Sequence, residues 1–134
     1  MATLEEIKND RIRQNRFKTY NFIELTRLEK DWAECRLTLR PESTNPHGMF
    51  HGGALYTMAD SVAGSAAHSD GRIYVTQSSA TNFLANITEG TAVGTASVVH
   101  RGRRTCLVNV EIRCAETEKL MFTGSFTFFC ISEK

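Results

Sequence analysis

The residues whose types and spacing could do chemistry lie within residues 45–60 of this sequence. His51 precedes the glycine pair Gly52-Gly53, and the pair opens a stretch suited to a helix. The first turn of a helix has unpaired backbone N–H groups and a partial positive charge, and glycines without side chains let an oxyanion or carbonyl oxygen approach those donors. With Asn45 shortly before it, this helix start predicts an oxyanion hole.

Asp60 is the carboxylate of this predicted helix. It lies seven residues beyond Gly53 (60 − 53), which is about 10 Å along a helix axis. It falls beside Ala63, Gly64 and Ala67, so it points sideways into a groove of small residues. An isolated carboxylate on a helix is ordinarily solvated, whereas a carboxylate in such a groove fits a general base or a nucleophile. The residues alone leave both interpretations open.

The elements that must position these residues follow from hydrophobic periodicity. An apolar stripe at helical spacing predicts a helix over residues 54–67, formed by Leu55, Ala59, Val62 and Ala66. Alternation of apolar and polar residues predicts strands over 32–40, 73–84, 91–100, 105–115 and 120–131. The highly charged residues 1–28 predict a helical opening segment that packs on the rest or covers it.

The connections between the later strands are too short for crossover helices, so the strands are expected to be mostly antiparallel. The chain therefore predicts a single α+β domain over residues 1–134, with 1–28 as the helical segment and 29–134 as the core. One helix cannot cover so long a sheet, and the strand aromatics exceed what one core easily absorbs: Phe122, Phe126, Phe128 and Phe129. A homo-oligomer is expected for these reasons.

Composition excludes several classes of protein. The chain has 134 residues, and its 16 Lys+Arg nearly balance 15 Asp+Glu, so nucleic acid is not an expected partner. No run approaches the roughly 18 apolar residues of a membrane span, and the polar start lacks the apolar centre of a signal peptide, so we expect a cytoplasmic protein.

The four cysteines are predicted to be thiols of the core. Cys35, Cys106, Cys114 and Cys130 lie far apart, and no C-x-x-C pair or neighbouring histidine offers zinc-ligand spacing. No metal site is therefore expected. The first three fall on the apolar side of alternating stretches, which indicates small buried side chains in a reducing compartment.

The run from Asn45 to Gly53, N-P-H-G-M-F-H-G-G, is followed by Asp60, then by Val75-Thr76 and by Asn82-Phe83-Leu84. Three blocks in this order and spacing resemble the hot-dog-fold acyl-CoA thioesterases of the phenylacetate-degradation (PaaI-like) type, over residues 40–130. The resemblance implies a long central helix wrapped by a curved antiparallel sheet of about five to six strands. It also implies two subunits that share one continuous sheet, as a homodimer or a tetramer of two dimers, with the thioester at their seam.

The resemblance further implies roles for single residues. The Gly52 amide would polarise the thioester carbonyl, Asn45 would place that carbonyl or the attacking water, and His51 would shape the loop, a general base being its less favoured role. Asp60 of the facing subunit would be the nucleophile or the general base, and the resemblance does not decide between them. Thr76 occupies the place of a small hydroxyl residue that holds the water or the acid.

Substrate contacts are expected from Gly53, Thr76, Asn82 and Phe83, with Tyr56 and Met58 beside Phe83 in an acyl groove. Arg103 and Arg104, on a basic hairpin, are the candidates for the phosphates of coenzyme A, although a solvated turn would explain them as well. One departure is Asn86, which stands where the family often has proline.

Hydrolysis of an acyl-CoA thioester to free acid and coenzyme A is the leading prediction, with no cofactor because coenzyme A is part of the substrate. Two alternatives stay open at this point. A hot-dog hydratase or dehydratase would need a histidine paired with an acid, and a non-catalytic acyl-CoA binding module would need no carboxylate in the groove. The acyl group itself is not predicted.

Overall fold

The computed structural model describes residues 2–133, which form three α-helices and six β-strands. The helices are α1 (Leu4–Gln14), α2 (Arg16–Tyr20) and α3 (Gly52–His68), with a 3-10 turn over Pro41–Ser43. The strands are β1 (Glu24–Glu29), β2 (Trp32–Thr38), β3 (Ile73–Phe83), β4 (Thr91–Arg101), β5 (Thr105–Cys114) and β6 (Leu120–Ser132). The long helix and the five strands expected from periodicity are confirmed, and the expected class, α+β, is correct.

The expectation that residues 1–28 are helical is wrong in their last part. A capping box between Thr3 and Glu6 starts α1, and the first two helices end before β1 begins at Glu24. In β1 only Leu25 is buried, and a register shift between Leu25 and Arg27 breaks the alternation. A pattern this short and polar carries no periodic signal, so pairing with β2 is what defines the strand.

The strands form one antiparallel sheet in the order β1-β2-β4-β5-β6-β3. Hairpins join β4 to β5 and β5 to β6, while α3 carries the chain from the β2 side to the opposite edge. The helix packs across the sheet against strands from both sides. One helix and six strands thus share one core, and β3 ends as an edge strand next to α3.

Small residues let α3 lie close to the sheet. The predicted stripe is fully buried, and a Cβ at Gly94 of β4 would stand 3.1 Å from Cys35 Sγ and 3.7 Å from the Met58 side chain. Met58 is therefore a core residue, which corrects its expected place in an acyl groove. Cys35, Cys106 and Cys114 are buried free thiols, as expected.

The aromatic residues of β6 fit into this core better than the sequence suggested. Phe122, Phe126 and Phe128 are buried, and only Phe129 of the four is half-buried. The expectation of an aromatic excess on this strand is therefore wrong. The curved sheet turns these rings toward α3.

Strand β3 carries the exposed apolar surface instead. Nine of its eleven side chains are exposed, among them Ile73, Val75 and Phe83. It pairs with β6 on one side only, so its other side presents unpaired backbone groups. Such a long, exposed edge strand is a typical surface for strand pairing with another chain.

A polar network fixes the C-terminal end of α3. The Arg101 guanidinium donates to the carbonyls of Ala66 and Ala67 and to the carboxylates of Asp31 and Asp70. Burial would raise the pKa of Asp70, but hydrogen bonds from Tyr74 and Arg72 outweigh burial and hold that pKa below its usual value. The basic hairpin is therefore anchored through Arg101 to the end of the helix.

Within residues 2–133, none of the helices has both the length and the apolar character that a membrane crossing requires.

Candidate active site

The loop that leads into α3 is organised by Asn45. Its Oδ1 accepts hydrogen bonds from the backbone N–H of His47 at 2.8 Å and of Met49 at 3.1 Å. Its own N–H donates to the Met49 carbonyl, and Gly48 takes the left-handed conformation, φ 76°, that closes this turn. Within one chain the Asn45 side chain thus faces its own loop, with Nδ2 3.4 Å from the Phe50 carbonyl oxygen.

Asn86 clamps the same loop from the other side, a role that the sequence did not reveal. Its Oδ1 accepts from the Phe50 N–H at 3.1 Å, and its Nδ2 donates to the Phe50 carbonyl at 2.9 Å. The Phe50 side chain is fully buried, so the core holds its ring while Asn86 holds its backbone. Asn86 was noted only as a departure from a family pattern, and no local signal connects it with a residue 36 positions earlier.

His51 is the N-cap of α3, and its Nδ1 accepts from the Gly53 N–H at 2.8 Å. The Gly53 N–H is therefore already hydrogen-bonded and is not available to another acceptor. Among residues 2–133, no atom accepts a hydrogen bond from the Gly52 N–H. The helix start thus offers one open backbone donor, with the helix dipole behind it.

Phe83, at the end of β3, lies over this open amide. A Cβ built on Gly52 would stand 3.5 Å from the Phe83 ring, which is ordinary van der Waals contact. The ring packs edge-on against Phe122 with centroids 5.1 Å apart, while more than half of it stays exposed. The structure therefore brings Phe83 next to Gly52, a contact that the sequence analysis did not specify. Asn82, its neighbour, is exposed on the edge strand opposite Thr123 and is not drawn into this contact.

Asp60 projects from the middle of α3 toward β3. Thr76 Oγ1 donates to Asp60 Oδ1 at 2.7 Å, and no described residue donates to Oδ2. Tyr56, one turn earlier, meets Ser79 of β3 at 2.8 Å between their hydroxyl oxygens. The predicted pair of a carboxylate and a small hydroxyl residue is therefore formed, and it leaves one carboxylate oxygen open.

A pocket of about 290 Å³ opens beside Asp60. Residues of α3 and β3 line one side of it, including Ser61, Gly64 and Thr76. The first two helices supply the opposite side, including Arg11, Phe17 and Lys18. The opening segment was expected to pack on the rest of the chain or to cover it, but its charged sequence does not indicate which residues it contacts.

The oxyanion donor and the carboxylate of one chain are too far apart to share a carbonyl. Gly52 precedes Asp60 by eight residues of one continuous helix (60 − 52), a rise of about 12 Å. A nucleophile or base and an oxyanion donor must each approach one reacting group to about 3 Å. Within one chain, Gly52 and Asp60 therefore do not reach the same reacting group.

Arg103 and Arg104 lie at the opposite end of α3 from Gly52. The Arg103 carbonyl accepts from Arg72, which follows the C-terminal end of the helix, and the Arg104 carbonyl accepts from the Cys130 N–H. The 17 residues of α3 span about 25 Å. Within one chain these arginines are therefore not brought to the glycine pair.

Comparison with known proteins gives a family and several relatives. Residues 47–121 match the family model described as the thioesterase superfamily. The putative esterase Rv1847 of Mycobacterium tuberculosis is 33% identical in an alignment of length 108 that covers 76% of this chain and 76% of that one. The acyl-coenzyme A thioesterase PaaI of Escherichia coli is 30% identical over 91 residues, 67% of this chain and 65% of that one.

Solved structures agree on the fold. The structure of the Escherichia coli PaaI protein superposes with a TM-score of 0.92 over 98% of this chain and 95% of that one, at 22% identity. A hypothetical thioesterase of Streptococcus pneumoniae, solved with coenzyme A, has a TM-score of 0.78 at 26% identity, over 84% of this chain and 88% of that one.

Proposed function

This chain belongs to the thioesterase superfamily, and we propose that it hydrolyses an acyl-CoA thioester to a free acid and coenzyme A. It is a thioesterase with the hot-dog fold. In the reaction, water oxygen adds to the acyl carbon, the carbon–sulfur bond breaks, and a proton given up by the water passes to the leaving thiolate, so the products are the free acid and the thiol. The observation that carries the proposal is the pair of an open Gly52 amide and an Asp60 carboxylate with one free oxygen. Coenzyme A as the thiol is supported by the named activity of the PaaI relative and by the coenzyme A in the Streptococcus pneumoniae structure.

The Gly52 amide serves as the oxyanion donor. Negative charge develops on the carbonyl oxygen as the tetrahedral intermediate forms, and a fixed N–H at a helix N-terminus stabilises it without reorganisation. Asn45 and Asn86 keep the loop before Gly52 in place, and His51 occupies the neighbouring Gly53 amide, so the oxyanion has one backbone position to bind. Asn45 acts on the carbonyl or the water through Nδ2, whose distance to Phe50 is long for a hydrogen bond.

Asp60 activates the attack, as a general base on water or as the nucleophile itself. Both roles need an oxygen that is not engaged, and Oδ2 is that oxygen, while Thr76 fixes the rotation of the carboxylate through Oδ1. Single turnover in ¹⁸O-labelled water distinguishes the two roles. Label that enters Asp60 itself indicates an anhydride on the carboxylate.

A homodimer completes the site. Because Gly52 and Asp60 of one chain are about 12 Å apart along the helix axis, the donor of one chain must meet the carboxylate of another. The exposed edge of β3 is the surface for this pairing, and antiparallel pairing of two β3 strands buries Val75 and its neighbours at a two-fold axis. Two such dimers can form a tetramer.

The same two-fold axis gives Arg103 and Arg104 a part in binding the phosphates of coenzyme A. It runs the two α3 helices in opposite directions, so the hairpin of one chain lies toward the Gly52 end of the other. The side chains of both arginines are exposed and free to bind an anion. We also place the enzyme in the cytoplasm, since all four cysteines are unpaired thiols, as is usual in a reducing compartment.

The test is a panel of acyl-CoA thioesters with detection of the free thiol, applied to the wild type and to Asp60→Asn. The amide keeps the shape and removes the basicity, so kcat should fall by at least ~10²-fold, as for loss of a positioned base, while acyl-CoA binding is retained. Asp10→Asn, on the exposed side of α1, is the matched control and should behave as the wild type. Turnover of Asp60→Asn near that of the control would remove Asp60 from the mechanism.

A further inference from the structure

Arg11 is a half-buried cation next to the Asp60 pocket, and it comes from outside the part of the chain that matches the family model. It extends from α1 across the small residues of α3, where its Nε donates to Ser65 Oγ at 2.9 Å. Its Nη2 would stand 3.1 Å from a Cβ at Gly64, so the guanidinium occupies space that a larger residue would fill.

The remaining N–H groups of Arg11 have no acceptor among residues 2–133. Arg11 Nη1 lies 3.2 Å from His68 Nδ1, but that nitrogen is 2.6 Å from the Gly64 carbonyl and so carries a proton. The other ring nitrogen of His68 accepts from the Tyr74 N–H, which fixes this tautomer. A protonated Nδ1 cannot accept from Arg11. Both amino groups of the guanidinium are therefore open, and no carboxylate of residues 2–133 forms an ion pair with them.

The pocket has an excess of positive charge. Two cationic residues, Arg11 and Lys18, and a single carboxylate, Asp60, line it, and the Lys18 ammonium donates to the Ile23 carbonyl. His68 adds none near neutrality, because burial lowers its pKa to about 4. Burial also lowers the pKa of Arg11 to about 10, against the opposing effect of Asp60, and no ion pair within residues 2–133 offsets the lost hydration of the guanidinium. An anionic ligand would supply the negative charge that pairs with this guanidinium.

We propose that Arg11 binds a carboxylate at the far end of the acyl group, so that the preferred substrates are coenzyme A thioesters of short dicarboxylic acids. This inference rests on the proposed thioesterase function. Planar guanidinium groups bind carboxylates through two parallel hydrogen bonds, and Arg11 has two open amino groups to offer.

The distance along α3 sets the length of the acyl group. Ser65, which holds Arg11, follows Asp60 by five residues (65 − 60), a rise of about 7.5 Å. This separation suits a glutaryl group, whose thioester lies at Asp60 while its free carboxylate reaches the guanidinium. A pocket of about 290 Å³ holds a chain of this size.

The experiment compares glutaryl-CoA with pentanoyl-CoA, which has the same chain length and ends in a methyl group. The wild type should prefer glutaryl-CoA in kcat/KM. In Arg11→Gln the ratio of the two kcat/KM values should fall by roughly 10- to 100-fold, the usual value of a charge-assisted hydrogen bond. Arg11→Lys keeps the charge without the planar pair of donors and should give an intermediate ratio. Arg13→Gln, exposed on the same helix, is the matched control and should leave the ratio unchanged.

The ratio of the two kcat/KM values also distinguishes binding of the substrate carboxylate by Arg11 from a purely structural role of Arg11. If Arg11 only holds α1 against α3, the variant loses activity equally on both substrates, and an unchanged ratio overturns the proposal while hydrolysis stands. Calorimetric binding of the two thioesters to the full-length protein gives a readout besides turnover. If no acyl-CoA is hydrolysed, the proposed function fails, and the glutaryl-CoA affinity of Arg11→Gln against the wild type still decides the role of Arg11.

Discussion

Replacement of Asn86 by alanine should weaken both the fold and the reaction through the peptide groups of Phe50. The substitution removes the acceptor of the buried Phe50 N–H and the better of two donors to the Phe50 carbonyl, since Asn45 Nδ2 is 3.4 Å away. An unsatisfied buried amide costs about 1–3 kcal/mol and each lost hydrogen bond about 1 kcal/mol, so the free energy of unfolding should fall by about 3 kcal/mol. For a chain of this size that is a drop in Tm of about 10 °C.

The reaction should suffer because Phe50 precedes the N-cap of α3. A looser Phe50 lets the Gly52 amide move relative to the carbonyl that we propose it polarises, and a displacement of this kind should lower kcat/KM by roughly 10- to 100-fold. Asn86 is thus a positioning residue, and kcat should fall even at temperatures where the variant is fully folded.

Thermal unfolding by circular dichroism, at one fixed protein concentration, and acyl-CoA hydrolysis by thiol detection measure the two effects. Asn109→Ala is the control, because Asn109 is exposed on β5 and its side chain has no hydrogen bond within residues 2–133. A Tm for Asn86→Ala within about 2 °C of this control would refute the assigned role of Asn86.

Three further predictions concern acid stability, the carboxylate and the assembly. The pKa of His68 is lowered by burial to about 4, so the unfolded chain takes up its proton first, and about 3 kcal/mol of stability should be lost as pH falls from about 6.5 to 4. Across this pH range the Tm of His68→Gln should change less than that of the wild type. Equal slopes of Tm against pH for the two proteins would contradict the effect. Thr76→Val keeps the shape and removes the donor to Asp60, so kcat should fall by about 10-fold, with Thr57→Val as the control on the same pocket. Light scattering should give a multiple of the 15.0 kDa chain, and Val75→Lys on the β3 edge should shift it toward the monomer with loss of activity; a fully active monomer would exclude the two-chain site.

Much of the fold could be predicted because its signals are local and repeated. The stripe of Leu55, Ala59, Val62 and Ala66 is fully buried, and five strands begin and end within two residues of the expected positions. The contact between Asp60 and Thr76 was anticipated only through resemblance, because helix and strand periodicity do not say which residues meet.

The rest depends on contacts between distant parts of the chain. Strand β1 exists because β2 offers a partner, and Met58 is buried because Gly94 lets the helix approach the sheet. Asn86 reaches back 36 residues, and Arg11 reaches forward 54, to groups with which neither shares a sequence pattern. Long-range pairs of single polar side chains leave no periodic signal, and these pairs form part of the site.

The two walls of the pocket beside Asp60 differ in whether they belong to the part of the chain that matches the thioesterase superfamily. One wall is α3 and β3, which carry the proposed catalytic residues and lie within the residues that match the thioesterase superfamily, 47–121. The other wall is α1 and α2, which lie outside those residues and touch α3 through a few polar side chains. If the proposed roles hold, changes in the second wall would alter which acids are released without disturbing how the thioester is broken. Exchange of residues 2–20 between related enzymes is therefore a route to new specificity on an unchanged catalytic frame.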